Sequence, residues 1–261
     1  MISKILKNIK KVFISYFLLS SGLTVQANEI NEFVAVQINQ KSYQYSFANK
    51  SLAPRLTDVL SPVALTENWY WPVSALYNTD DTTAQLLLQR VLQQLDELQQ
   101  EYAADIDKQQ AIISMVSQIK SWQLATRVFI PIEYDLARVS AEFNPKFMPG
   151  NYQLRLYKRP SHITLFGLVK QPGKSTHINA GNVKQYLTEF SSLAAADSNT
   201  LYLIQPDGSI IKETVAAWQQ TTIEAMPGAQ LFVPFKLGLF STRWQRLNQD
   251  ILALARHRVL L

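Results

Sequence analysis

Hydrophobic and polar residues alternate in two separate parts of the chain, and each part has the same order of predicted elements. In the first part, alternating stretches at 33–38 and 42–47 flank Asn39-Gln40, which predicts a β-hairpin. A short amphipathic helix is predicted at 52–60. Its apolar positions recur at helical spacing: Leu52, Leu56, Val59 and Leu60.

The second part repeats this order. An apolar strand at 163–169 turns at Gln171-Pro172-Gly173, returns at 175–178 and leads into a helix predicted at 181–190. The expected buried side of that helix is formed by Val183, Tyr186, Leu187 and Phe190.

Both parts end in the sequence Met-Pro-Gly, at 148–150 and 226–228. Pro-Gly predicts a type II turn, and the alternating residues after it predict a final strand. A hairpin, a helix and a final strand, present twice, predict an α+β chain of tandem β-grasp (ubiquitin-like) domains, each a small mixed sheet over one helix.

The first copy is longer than the second. Val34 and Pro149 are 115 positions apart, whereas the matched Thr164 and Pro227 are 63 apart, so the first copy carries about 52 additional residues. This surplus predicts a helical hairpin inserted at about 80–123.

Each helix of the insert has one apolar face. The first helix is predicted to be capped by Asp80-Asp81-Thr82-Thr83, and the second to begin with a capping box at Asp107 and Gln110. Leu86-Leu87-Leu88 makes the first apolar face too broad for the partner helix alone. We therefore expect the hairpin to pack on the second domain; the alternative is that it lies on its own sheet. The face residues are Leu87, Val91, Leu95, Leu98 and Tyr102, then Ile112, Met115, Val116, Ile119 and Trp122.

The C-terminal segment, 238–261, predicts one more amphipathic helix. Its arginines and lack of a continuous apolar run favour packing on the second domain or the insert over membrane insertion. The apolar stripe comprises Phe240, Trp244, Leu247, Ile251, Leu254 and Ala255. The side expected to stay polar comprises Arg243, Arg246, Asp250, Arg256 and Arg258.

The first 27 residues have the pattern of a cleavable secretion signal. Four lysines precede an apolar run at 12–19, and Val25-Gln26-Ala27 predicts cleavage after Ala27. The run is too short to span a bilayer, so we expect a periplasmic protein without a membrane span in its mature chain. Without the leader the net charge falls from +5 to about +1, which does not point to nucleic acid. The chain has no cysteine, which excludes disulfides and thiol chemistry.

Several motifs resemble one known family. Gly167-x-Val169-x-x-Pro172-Gly173 resembles the signature of soluble-ligand-binding (SLBB) β-grasp domains in Wza-like outer-membrane polysaccharide exporters. With the helical insert and tail, the mature chain resembles the GfcC-type capsule-biosynthesis family. The other matching motifs are Gln205-Pro206-Asp207-Gly208, Trp218, Pro227-Gly228, Val233-Pro234, Asn144-Pro145, Pro149-Gly150 and Arg159-Pro160.

The resemblance implies a first domain at 28–158, a second, SLBB-like domain at 159–237 and the C-terminal helix at 238–261. It also implies a non-enzymatic accessory role, without a cofactor, in capsule or exopolysaccharide assembly or export. The expected partners are the polysaccharide, the outer-membrane export machinery, or both. A central arginine of the family falls here on Arg127, in Ala125-Thr126-Arg127-Val128.

Three residues are candidates for a binding pocket. Arg127 is the one charged residue between Lys120 and Glu133 and has apolar neighbours. It either binds an anionic or hydroxylated sugar group or a partner's carboxylate, or it pairs structurally with Glu133, Asp135 or backbone carbonyls. Trp69 and Trp71 either stack on sugar rings or anchor the core.

The sequence gives little support for catalysis or for metal binding. The three histidines, His162, His177 and His257, lie in different predicted elements, and no nucleophile elbow, Walker loop or dinucleotide fingerprint occurs. A glycosidase assembled from two distant carboxylates, and so a periplasmic polysaccharide-modifying hydrolase, is the alternative function.

Overall fold

The computed structural model describes residues 32–187, 191–214, 223–236 and 242–260. Residues 31–261 form one compact unit. The predicted leader, Phe190, Trp218 and Phe240 lie outside the described residues. The division into domains at residues 158 and 237 stays a prediction.

The first sheet has five strands in the order β2-β1-β5-β3-β4, with β1 and β5 parallel and the other neighbours antiparallel. Val34, Val36 and Ile38 point to the buried side of β1, as their alternation predicts, and pack with helix α1. The elements are β1 (Glu32–Ile38), β2 (Lys41–Phe47), α1 (Leu56–Leu60), β3 (Ala75–Asn78), β4 (Thr126–Val128), α4 (Tyr134–Val139) and β5 (Gly150–Arg155). Two further helices, α2 (Thr83–Glu101) and α3 (Ile106–Lys120), lie between β3 and β4.

Helix α1 is shorter than predicted. It begins at Leu56, and Leu52 lies in a preceding 3₁₀ turn with 65% of its surface exposed. Pro54 explains the difference, because the residue before a proline is disfavoured in helical conformation, and Ala53 is indeed extended. The Asp58 carboxylate then accepts a hydrogen bond from the Arg55 N–H at 2.8 Å at the helix start.

The second sheet repeats the first. Its strand order is β7-β6-β10-β8-β9. As in the first sheet, the strand that comes first along the chain, β6, lies beside the strand that comes last, β10, and runs parallel to it, whereas the other neighbours are antiparallel. The predicted α+β class with two tandem units is therefore confirmed. Val183 and Tyr186 are buried as predicted, and the helix begins at Val183, two residues after its predicted start. The elements are β6 (His162–Gly167), β7 (Gly173–Thr176), α5 (Val183–Leu187), β8 (Thr200–Ile204), β9 (Ile210–Thr214) and β10 (Gln230–Val233).

The two Met-Pro-Gly segments fold differently. Gly228 has φ +83°, and the Ala229 N–H donates to the Met226 carbonyl at 2.9 Å, which is the predicted type II turn. Gly150 instead has φ +145° and begins β5, while the Asn151 N–H donates to the Asp80 carboxylate at 2.7 Å. The prediction of a type II turn there was wrong, because a side chain at the edge of the helical insert holds the backbone.

The helical pair consists of α2 (Thr83–Glu101) and α3 (Ile106–Lys120). Its apolar faces join the core of the second sheet, which confirms that the insert packs on the second unit. Leu86 does not contribute, since 59% of its surface is exposed, whereas Leu87 and Leu88 are half-buried. The cap of α3 is Asp105, whose carboxylate accepts from the Lys108 N–H at 3.1 Å, two residues before the predicted Asp107.

The C-terminal helix α6 (Thr242–Ala255) packs into the same core and against α2, as predicted. Leu247, Ile251 and Leu254 are fully buried, and Arg243 pairs with Glu97 and Glu101 of α2. After the helix, residues 257–259 run beside residues 123–125. The Ala125 N–H donates to the His257 carbonyl, and the Val259 N–H donates to the Gln123 carbonyl.

Candidate functional site

A cavity of about 550 Å³, here called the inter-sheet cavity, is lined by both sheets. The first sheet contributes Tyr77 and Arg127, and the second contributes His162 and Lys174. The connection between the sheets and the end of the chain add to the wall, with Tyr157, Lys158, Pro160, Arg258, Val259 and Leu260.

The wall of the inter-sheet cavity is cationic. Four cationic residues line it, namely Arg127, Lys158, Lys174 and Arg258. No aspartate or glutamate is found among its described lining residues. Aromatic rings of Tyr77, Trp122 and Tyr157 lie among these cations. Positive charge in a partly enclosed cleft attracts anions more strongly than the same charge on an open surface. The wall therefore favours an anionic ligand.

Arg127 lies on the short strand β4, opposite Tyr77 of β3. Its backbone N–H donates to His257 Nδ1 at 3.0 Å, and its Nη2 donates to the Pro206 carbonyl at 2.5 Å. Its Nε is buried without a hydrogen-bond partner among the described residues. Burial lowers the pKa of Arg127, and the nearby Tyr77 and Asp207 oppose this effect.

The contacts of Arg127 bear on the two roles predicted for it, ligand binding and structural pairing. The contact with the Pro206 carbonyl is one of the structural pairings named from the sequence, whereas Asp135 pairs with Arg138 at 3.6 Å. Arg127 also lines the inter-sheet cavity, as a ligand-binding role requires. A ligand-binding role for Arg127 stays a prediction.

Arg258 was assigned to the polar side of the tail, and this prediction was wrong. Its guanidinium carbon lies 4.4 Å from the centre of the Trp122 ring, and its Nη1 donates to Gln230 Oε1 at 2.8 Å. Burial lowers the pKa of Arg258 to about 10. Helical periodicity does not place this residue, because the helix ends at Ala255 and the chain then turns back beside residues 123–125.

His162 and Lys174 belong to the hairpin β6–β7 and line the inter-sheet cavity together. Burial lowers the pKa of His162, and the charge of Lys174 lowers it further. Neither residue stood out in the sequence as a site residue, because their meeting depends on the register of this hairpin.

The predicted tryptophans lie elsewhere. Trp69 lines a second, more open cavity of about 690 Å³, here called the linker cavity, together with Glu67, Asn68, Tyr70, Lys158 and Arg159. The Trp69 Nε1 donates to the Val63 carbonyl at 2.9 Å. Both Trp69 and Trp71 pack against the core of the first sheet, and Trp71 lines neither of these two cavities. The structure therefore separates Arg127 from the tryptophans, while Lys158 lines both cavities.

The described ranges also bear on metal binding and on membrane insertion. Across the described ranges, no group of three or more His, Asp or Glu side chains is arranged to hold a metal ion. No helix in this part of the chain is both long and apolar enough to cross a membrane.

The fold and the site together define an α+β protein of two tandem five-stranded sheets with a cationic cavity between them. Two family models match the chain: "Capsule biosynthesis GfcC, N-terminal" over residues 33–160 and "Capsule biosynthesis GfcC C-terminal" over residues 171–260. The chain belongs to the GfcC capsule biosynthesis family, which confirms the resemblance found in the sequence.

A relative from Escherichia coli (strain K12), named "Uncharacterized protein YjbG", is 32% identical over 208 residues. The match covers 79% of this chain and 83% of the relative. The similarity therefore extends over most of both chains.

Proposed function

We propose that this protein is a non-enzymatic accessory protein in the assembly or export of capsular or exopolysaccharide, and that it binds acidic groups of the polysaccharide in the inter-sheet cavity. Family membership supports the polysaccharide context. The leader pattern in residues 1–27 supports action in the periplasm, where an outer-membrane export component is a further candidate partner.

The cationic wall of the inter-sheet cavity is the observation that carries the binding proposal. Acidic sugar polymers bear negative charge as carboxylates or phosphates, and a guanidinium binds both through directed N–H donors. Arg127, Lys158, Lys174 and Arg258 all line this cavity, so an entering oxyanion meets four cationic side chains there.

Titration of residues 28–261 with polygalacturonate tests the proposal, with dextran as the uncharged control. We expect binding of the acidic polymer, weakening as salt is raised, and no binding of dextran. Arg127→Gln should weaken the binding by roughly tenfold to a hundredfold, because charge-assisted hydrogen bonds contribute about 1.5–3 kcal/mol.

Lys41→Gln is the matched control for this experiment. Lys41 is an exposed cation on β2 that lines neither cavity, so its removal changes the net charge equally and should leave the affinity nearly unchanged. Equal weakening by both substitutions would contradict binding in the inter-sheet cavity. Cleavage of the polymer during the titration would contradict the non-enzymatic role and favour the hydrolase.

A further inference from the structure

The two cavities share part of their walls at the connection between the sheets. Tyr157 and Pro160 line the inter-sheet cavity, Arg159 lines the linker cavity, and Lys158 lines both. The Tyr70 N–H donates to the Tyr157 carbonyl at 2.7 Å, so the segment that contains Trp69 and Tyr70 lies directly beside this connection.

The walls of the two cavities differ in chemistry. The inter-sheet cavity has four cationic side chains and no carboxylate among its described residues, whereas the linker cavity combines two cations with Glu67, an amide and two aromatic rings. A carboxylate on a sugar therefore prefers the inter-sheet cavity. The aromatic faces of Trp69 and Tyr70 suit the apolar C–H face of a sugar ring, and Asn68 supplies hydrogen bonds to hydroxyl groups.

Lys158 can serve a ligand at the junction of the two cavities. Its ammonium lies 3.1 Å from the Glu67 carboxylate, and both side chains are largely exposed. Exposed pairs of this kind are weak because water screens them. Replacing the Glu67 carboxylate beside Lys158 with a carboxylate of a ligand therefore costs little free energy.

We propose that the two cavities are consecutive subsites for one acidic polysaccharide chain. An acidic sugar lies in the inter-sheet cavity beside Arg127, the chain passes Lys158, and a neighbouring sugar lies on Trp69 and Tyr70. This inference rests on the proposed function and extends it, because it requires a ligand of at least two linked sugars.

Calorimetric titration with galacturonate oligomers, from monomer to hexamer, tests the two subsites. We expect the affinity to rise by roughly tenfold or more from the monomer to an oligomer that fills both cavities, because the second contact is intramolecular, and then to level off. Galactose 1-phosphate, compared with galacturonate, shows whether the inter-sheet cavity favours a phosphate or a carboxylate.

Tyr70→Ala and Arg159→Ala should remove most of this gain for the longer oligomers and leave the affinity for the monomer unchanged. Arg127→Gln should weaken all lengths, and Lys41→Ala is the matched loss of an exposed charge. Circular dichroism of Tyr70→Ala controls for folding, and Arg159, which is exposed, provides a second variant at the same cavity.

The outcomes separate this inference from the proposed function. If monomer and hexamer bind equally well, or if Arg159→Ala weakens every length alike, the cavities are not consecutive subsites, although polysaccharide binding itself stands. If no oligomer and no polymer binds, the proposed function fails and the subsites fail with it.

Discussion

His257 links the segment after the last helix to Arg127, which lines the inter-sheet cavity. Its Nδ1 accepts the backbone N–H of Arg127 at 3.0 Å, so the ring is neutral with its proton on Nε2. Burial lowers the pKa of His257, Arg256 and Arg127 lower it further, and Asp81 opposes them. Protonation of Nδ1 would remove this hydrogen bond.

The free energy of unfolding should therefore depend on pH. The pKa of His257 in the folded protein lies below the value of about 6.5 in the unfolded chain, so the unfolded chain binds more protons between these two values. The stabilisation is fully present above about pH 6.5 and is lost as the pH falls through the folded pKa. His162 shifts in the same direction and adds to the effect. Urea denaturation between about pH 8 and pH 5 measures the slope.

His257→Asn should make that slope shallower, because the asparagine Oδ1 can accept the Arg127 N–H but does not titrate in this range. His162→Asn is the companion variant and should remove only its own share. An unchanged slope in His257→Asn would refute the role of this ring.

At the scale of elements, the pair α2–α3 shows how unequal the leucines of one helix are. Leu95 is fully buried in the core shared with the second sheet, whereas Leu86 on the same helix is 59% exposed. Both occur in an apolar pattern, and the sequence suggested that Leu86 also contributes to packing. Only the position of the helix relative to the second sheet distinguishes them.

Leu95→Ala should lower the free energy of unfolding by about 2–5 kcal/mol, since it leaves a cavity in a packed core. Leu86→Ala makes the same chemical change on the same helix and should alter stability by no more than about 0.5 kcal/mol. Chemical denaturation of the two variants measures the difference. Similar losses in both would mean that α2 does not pack through the Leu95 face.

At the scale of the whole molecule, one core joins elements that are distant in sequence. The helical pair leaves the first sheet between β3 and β4 but is buried with the second sheet and α6. Loss of the second sheet would therefore expose Leu95, Ile112 and Met115 and uncover the insert of the first sheet.

We expect residues 31–261 to unfold in one cooperative thermal transition despite the two sheets. Differential scanning calorimetry should give a calorimetric enthalpy equal to the van't Hoff enthalpy. In Leu95→Ala the single transition should move to lower temperature without splitting. Two resolved transitions in the unmodified protein would show that the sheets unfold independently.

The sequence predicted most of the elements because their signals are local. The alternation in β1 and the helical spacing of Val91, Leu95 and Leu98 each identify the buried face of an element. The error at Leu52 was also local, because Pro54 disfavours helical conformation at Ala53 although the apolar spacing continues across it. Of the candidate site, the sequence identified Arg127 but not Arg258, His162 or Lys174.

The sequence by itself determined the α+β class, the two repeated units, the insert and the apolar face of each helix. Only the tertiary structure decided between the second sheet and its own sheet as the surface that the insert covers. It also showed that four cations line one cavity and that Lys158 lines both this cavity and a second one. The physical reason is that periodicity shows which face avoids water but not what covers it. Arg127 and its partner His257 are 130 residues apart, and no local pattern links them.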